Sequence, residues 1–155
     1  MPTAKKSLRR GFTLIELLLV IAIIAILATI VIVALNPVQR FADARNSRRW
    51  SDVNSILTAV HEYIVDNNGS LPTGVTSSEK QLGTCVSGGG SQCTGAAAAC
   101  LDLSVTLAKY LKSIPVDPGG GSASTTYYSV VADSNSIVTV EACNAENSAT
   151  IQISR

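Results

Sequence analysis

Aromatic side chains are scarce in this 155-residue chain, 5% of the total. That is too few for a platform on which single-stranded nucleic acid would stack. Charge is also thin, at 15% against about 25% in an ordinary soluble domain. Because 46% of residues are hydrophobic, the apolar content must be concentrated somewhere. Histidine occurs once, as His61 beside Glu62, with no nucleophile at a spacing that suggests a Ser-His-Asp or Cys-His arrangement. It reads as a surface residue of a helix, and enzymatic activity is not expected. Gly88-Gly89-Gly90 lacks the Gly-Lys-Ser/Thr ending of a phosphate-binding loop. The cysteines lack the C-x2-C pairs of zinc knuckles. No acid precedes Glu16, whereas Lys5, Lys6, Arg9 and Arg10 do. Removing those four of the 12 basic residues leaves 8 against 11 acids, so the net charge of +1 hides an asymmetry. The length suits one domain.

The concentrated apolar segment is Leu17 to Leu35, in which Thr29 is the only polar residue. As a helix it would extend roughly 28 Å, close to the hydrocarbon thickness of a bilayer. It exceeds the 7 to 15 residues of a secretory h-region and leads into Asn36-Pro37-Val38, so it reads as a retained anchor. Arg40, Arg45, Arg48 and Arg49 follow it as closely as the first four basic residues precede it, which leaves orientation by flanking charge undecided. An even number of cysteines favours an oxidising compartment for the part beyond the helix. The N-terminus is therefore expected inside and the C-terminal part outside.

Glu16 is out of place at the start of this run, because an ionised carboxylate in lipid costs at least a few kcal/mol unless paired. Thr13-Leu14-Ile15-Glu16 fits a Thr-x-x-Glu capping box, which accounts for the acid locally. The wider pattern is more specific: basic residues from Lys5 to Arg10, then Gly11-Phe12-Thr13-Leu14-Ile15-Glu16, then the apolar helix. It resembles the N-terminal signal of type IV pilin precursors and type II secretion pseudopilins. The resemblance implies cleavage between Gly11 and Phe12 by a prepilin peptidase and N-methylation of Phe12. It also implies that Glu16 sets assembly register by neutralising the terminal amine of a neighbouring subunit. An ammonium and a carboxylate attract strongly in a filament core of low dielectric. Many pilins carry a proline within the membrane segment, whereas here the first one after Gly11 is Pro37.

Beyond Asn36-Pro37, where a helix should weaken or kink, Trp50, Val53, Leu57, Val60 and Ile64 recur at spacings of 3 and 4, with Ile56 alongside. This is the apolar stripe of an amphipathic helix. Asp66-Asn67-Asn68-Gly69 supplies the stop. Residues 12 to about 66 thus read as one long helix of roughly 80 Å. Residues 73 to 100, rich in Gly, Ser, Thr and Ala, read as a flexible loop, and Leu103, Leu107 and Leu111 as a short helix. Tyr127 to Ala132, Ile137 to Ala142 and Thr150 to Ser154 read as three antiparallel strands. The expected fold is α+β and pilin-like, with a long N-terminal transmembrane and amphipathic helix packed on a small three-stranded antiparallel sheet. Its segments are a cleaved leader (1–11), a transmembrane and assembly helix (12–35), the amphipathic half (36–66) and an extracytoplasmic globular part (67–155).

Cys85, Cys93, Cys100 and Cys143 are expected to form two disulfides, with three pairings open and no metal involved. Asp117 and Asp133 supply one carboxylate on each side of a turn, thin for calcium, which wants 6 to 8 oxygens. The four arginines after the membrane segment read as a solvated or lipid-facing band. Salt bridges between subunits through Asp43 or Asp52 are an alternative, and DNA binding is weakly supported. The function expected is that of a type IV pilin-like structural subunit, cleaved by prepilin peptidase and assembled into a cell-envelope filament for adhesion, motility or DNA uptake. The alternatives are a pseudopilin of a type II secretion system and an uncleaved, signal-anchored binding domain. The expected partners are the peptidase, other pilin or pseudopilin subunits, an inner-membrane assembly platform and the lipid bilayer, with no cofactor. The precursor would sit in the inner membrane as a single-pass protein before entering an extracellular or periplasmic filament.

Overall fold

A computed structural model describes residues 11–155. The basic leader residues Lys5, Lys6, Arg9 and Arg10 lie outside the described residues. The chain forms two compact units, one ending at Arg40 and one running from Phe41 to Arg155.

The first unit is built on α1 (Leu14–Leu35), 22 residues that are all exposed. Its one mid-helix hydroxyl, Thr29 Oγ1, donates to Ala25 O at 2.9 Å and so is satisfied within the helix. At roughly 33 Å, α1 is long enough and apolar enough to cross a membrane. The single helix expected over residues 12–66 is interrupted at Asn36, which adopts a left-handed conformation (φ 39°, ψ 73°). The residue before a proline is driven out of the helical region, and asparagine tolerates the left-handed well better than most residues. Helix α2 (Pro37–Asp66) then starts afresh. Pro37 is suited to a first helical position, and Asn36 O accepts from Gln39 N and Arg40 N.

In the second unit, α2 buries Ala42, Asn46, Arg49, Val53, Ile56 and Val60 at alternating spacings of 4 and 3, with Leu57 and Ala59 beside them. Trp50, expected in the stripe, is instead 45% exposed. The stripe runs one residue earlier, through Arg49, which places Trp50 at its rim. The helix stops as the sequence suggests. Asn68 (φ 54°) and Gly69 (φ 85°) turn left-handed, and Asn67 N and Gly69 N close onto Tyr63 O and Ile64 O.

Four strands, rather than three, form an antiparallel sheet in sequential order: β1 (Lys80–Gln81), β2 (Tyr128–Ala132), β3 (Val138–Ala142) and β4 (Gln152–Ser154). The added strand is a two-residue edge pairing within the segment read as a loop, too short to show a period of two. Strand β2 begins at Tyr128 because Tyr127 has φ 64°, outside the extended region. Tyr128, Val130 and Ala132 share one face of β2, as do Val138, Val140 and Ala142 on β3, and all six are buried in one core with Val53, Ile56, Leu57 and Val60, while Ser129 on the other face of β2 is buried as well. The segment around Leu103, Leu107 and Leu111 forms hydrogen-bonded turns rather than a helix. Bonds of the i to i−3 kind, such as Ala108 N to Val105 O, interrupt the helical ladder. Leu103 and Leu107 are nevertheless buried.

Two disulfides are formed, Cys85–Cys100 and Cys93–Cys143. The first closes a local loop. The second ties that loop to the residue after β3. Closing separations of 15 and 50 residues restricts the unfolded chain by about 3 and about 4 kcal/mol in the chain-entropy description. The segment read as a flexible loop is thus held down, and Gln81 is buried beneath it, donating to Gly89 O at 3.0 Å. Leu57 is fully buried at the centre of the core. Replacing it with Ala is expected to destabilise the second unit by about 2 to 5 kcal/mol, read as a lowered denaturant midpoint at unchanged slope.

Candidate functional site

Two constellations carry the candidate chemistry, one in each unit. The first lies at the start of α1. Gly11, Phe12 and Thr13 precede the helix in non-helical backbone, and the Phe12 side chain is 86% exposed. Thr13 is the N-cap, in extended geometry (φ −81°, ψ 151°). Its Oγ1 accepts from Glu16 N at 3.3 Å, while Thr13 N and the Thr13 hydroxyl donate to Glu16 Oε2 at 2.8 and 2.7 Å. Both halves of the capping box are therefore present. This places the Glu16 carboxylate one helical turn from Phe12, facing back towards the chain start. Among the described residues, no atom lies within 4 Å of where a Cβ on Gly11 would stand. Packing therefore does not explain the glycine there.

The second constellation centres on Arg49, whose side chain is fully buried. Its Nε and Nη2 donate to Asp117 Oδ2 and Oδ1 at 2.5 and 3.0 Å, a bidentate pair with an equally buried carboxylate. Nη1 donates to Glu146 Oε2 at 2.7 Å and to Asn46 Oδ1 at 2.8 Å. Arg45 adds a second fork on Glu146, through Nε at 2.7 Å and Nη2 at 2.5 Å. The Asn46 amide brackets the backbone of Glu146, donating to its carbonyl at 2.8 Å and accepting from its N–H at 3.0 Å. Asn144 and the Gly119 N–H complete the shell around Asp117 Oδ1. Gly119 is sterically required: a Cβ there would stand 2.8 Å from Arg49 Nη2 and 3.0 Å from the Asn144 amide. The guanidinium of Arg49 is held more firmly protonated by its hydrogen bonds to Asp117 and Glu146, which outweigh burial. The Glu146 carboxyl is pulled down to about 2, first by its hydrogen bonds to Arg45 and then by those to Arg49.

For Arg45 and Arg49, this corrects the reading of the four arginines as a band facing solvent or lipid. Arg49 and Arg45 are committed to acids about 70 and 100 residues away, so only Arg40 and Arg48 keep open faces. Asp52 accepts from the Tyr128 hydroxyl at 2.8 Å, and its distance to Arg48 Nε is 3.7 Å. Asp43 accepts from Asn147 at 2.9 Å. Asp117 and Asp133, weighed together for calcium, do separate work. Asp133 caps the turn between β2 and β3, accepting from Asn135 N and Ile137 N, both at 2.8 Å. Among the described residues no cluster of His, Cys, Asp and Glu is arranged to hold a metal ion. Sequence reasoning missed Asp117 and Glu146 as the partners of Arg49. The one local signal was an acid wedged between Pro115 and Pro118 ahead of a glycine run.

A model of the prokaryotic N-terminal methylation motif matches residues 6–32. The type IV major fimbrial protein FimA of Dichelobacter nodosus is 44% identical over 62 residues, 39% of this chain and 38% of that protein. The match thus spans about two fifths of the length of that curated relative. No solved structure matches the chain. The first finding defines a class, proteins that carry the methylation motif. Together with the fimbrial relative it shows similarity to type IV pilins over the part of the chain that is matched.

Replacing Asp117 with Asn removes the charge that neutralises a buried guanidinium, and is expected to cost about 3 to 5 kcal/mol of stability, read by chemical denaturation. Glu146 carries a pH signature. Its folded pKa of about 2 lies below the ordinary 4.5, so its contribution is complete above about pH 5 and is lost as pH falls from there through 2. Glu146→Gln should lower stability at neutral pH and flatten its decline over that acid range.

Proposed function

We propose that the chain is the precursor of a type IV pilin-like structural subunit. In this reading prepilin peptidase cuts between Gly11 and Phe12, and Phe12 is N-methylated. The mature protein then enters a cell-envelope filament through α1. The observation that carries the reading is the exposed Gly11–Phe12 junction directly ahead of a capped 22-residue helix that is apolar except for Glu16, in its first turn, and Thr29. The open space around Gly11 suits a glycine selected by an enzyme rather than by packing. In the precursor, α1 spans the inner membrane with the disulfide-bonded unit outside.

Glu16 is given two successive partners. Before assembly it caps its own helix through Thr13. In the filament it faces the terminal ammonium of a neighbouring subunit, and that pair sets the axial register. The partners are the peptidase, an assembly platform in the inner membrane and further subunits. A pilus subunit is preferred to a secretion pseudopilin because the relative found is named as a fimbrial protein. DNA retention by the post-membrane arginines is disfavoured by the internal commitment of Arg45 and Arg49.

In a host with a compatible peptidase, intact mass and N-terminal sequencing should give a chain beginning at methylated Phe12. Retention of residues 5–11 in the native host overturns the proposal in favour of an uncleaved anchor. Glu16→Ala should be processed normally yet yield few or no sheared filaments, whereas undiminished filament yield would remove the register role.

A further inference from the structure

The face of α2 nearest in sequence to the end of α1 is exposed, and its composition is selective. Phe41 is 65% exposed. Ala44 and Arg48 follow it at spacings of 3 and 4 on one side of the helix, and both are exposed. Arg48 leaves 64% of its side chain open, with only a loose approach to Asp52. Arg40, which directly precedes Phe41, is exposed as well. The row continues to Asp52, four residues after Arg48 and the first acid in it. The two acids nearby are engaged elsewhere, Asp43 with Asn147 and Asp52 with Tyr128. Of the four arginines of α2, the two that the fold leaves open are therefore the two that flank Phe41.

Position along the chain says what such a face meets. Along α2, Phe41 is about 8 Å of rise from Asn36. The headgroup layer on each side of a bilayer is about 5 to 8 Å deep. A Phe ring at that depth beside two arginines, with the neighbouring acids engaged elsewhere, combines apolar insertion with attraction to anionic headgroups. We propose that Phe41, Arg40 and Arg48 form a headgroup-binding face that engages anionic phospholipids at the outer surface of the membrane spanned by α1, before assembly. The inference rests on the reading of α1 as a membrane span. Charge complementarity and nearness in sequence to α1 favour lipid over a second copy of the chain.

The test uses the full chain carrying Trp50→Phe and Phe41→Trp, which leaves one tryptophan as reporter. It is placed one chain per nanodisc, with bromine on the upper acyl carbons of the lipids. The expected result is quenching in phosphatidylglycerol discs that weakens in purely phosphatidylcholine discs, at raised salt, and when Arg40 and Arg48 are both replaced by Gln. Persistence of the folded unit's resistance to trypsin checks that these variants are folded. A parallel chain with Trp50→Phe and Leu27→Trp reports on the span itself. Loss of quenching in that chain removes the membrane reading and the inference with it. Quenching there with none from the Phe41→Trp reporter overturns the headgroup face alone. Quenching that is indifferent to lipid charge also overturns it. So does protection of the reporter from an aqueous quencher that appears only with several chains per disc, which would assign the face to a second copy.

Discussion

The second unit depends on the burial of Arg49. A guanidinium in the protein interior is sustained only if its charge and donors are met, because desolvation costs several kcal/mol per ion. Asp117 and Glu146 meet it from two turns far apart in the chain. The turn after β3 therefore has to seat on α2 through Asn46, and the glycine run after Asp117 has to pass the guanidinium without a Cβ at Gly119. Any other docking of those turns would strand a charge in a low dielectric. The cluster works as a constraint on geometry more than as a source of net stability.

The disulfide from Cys93 to Cys143 acts on the same region from the other side. Cys143 directly precedes the Asn144 to Glu146 turn that closes over Arg45 and Arg49. One end of the sheet is thus held both covalently and by charge, while its centre is held by the apolar contact of β2 and β3 with α2. The first unit follows the opposite logic. No residue of helix α1 is buried among the described residues, and its hydroxyl and cap are satisfied locally. An exposed and almost wholly apolar segment of this kind calls for an environment of lipid or of other helices.

Legibility followed the range of the interactions. The capping box at Thr13 and Glu16, the stop at Asn68 and Gly69, and the strand segments that became β2 and β3 were readable because each depends on patterns a few residues long. The break at Asn36 was visible as Asn-Pro, but its completeness was not, because a kink and a left-handed break carry the same sequence signal. Strand β1 was invisible, since two residues are ordered by pairing with β2 and not by a pattern of their own. Trp50 was assigned to the core on hydrophobicity. The structure gives that place to Arg49, because helical phase and not polarity decides which side chain points inward, provided the polar one finds partners.

By itself the sequence determined that an apolar helix of membrane length follows a Gly-Phe-Thr-Leu-Ile-Glu start, that an amphipathic helix and a small sheet come after it, and that four cysteines can pair. Those properties rest on composition and short-range periodicity, which the chain carries whether folded or not. The tertiary structure alone decided which cysteines meet, that Arg45 and Arg49 turn inward while Arg40 and Arg48 stay open, and that Asp117 serves an arginine. These are choices among residues of the same type, made by contacts across 15 to 101 positions. Their physical basis is simultaneous satisfaction of buried charges and close packing, a condition imposed by the folded arrangement as a whole and not by any one stretch of chain.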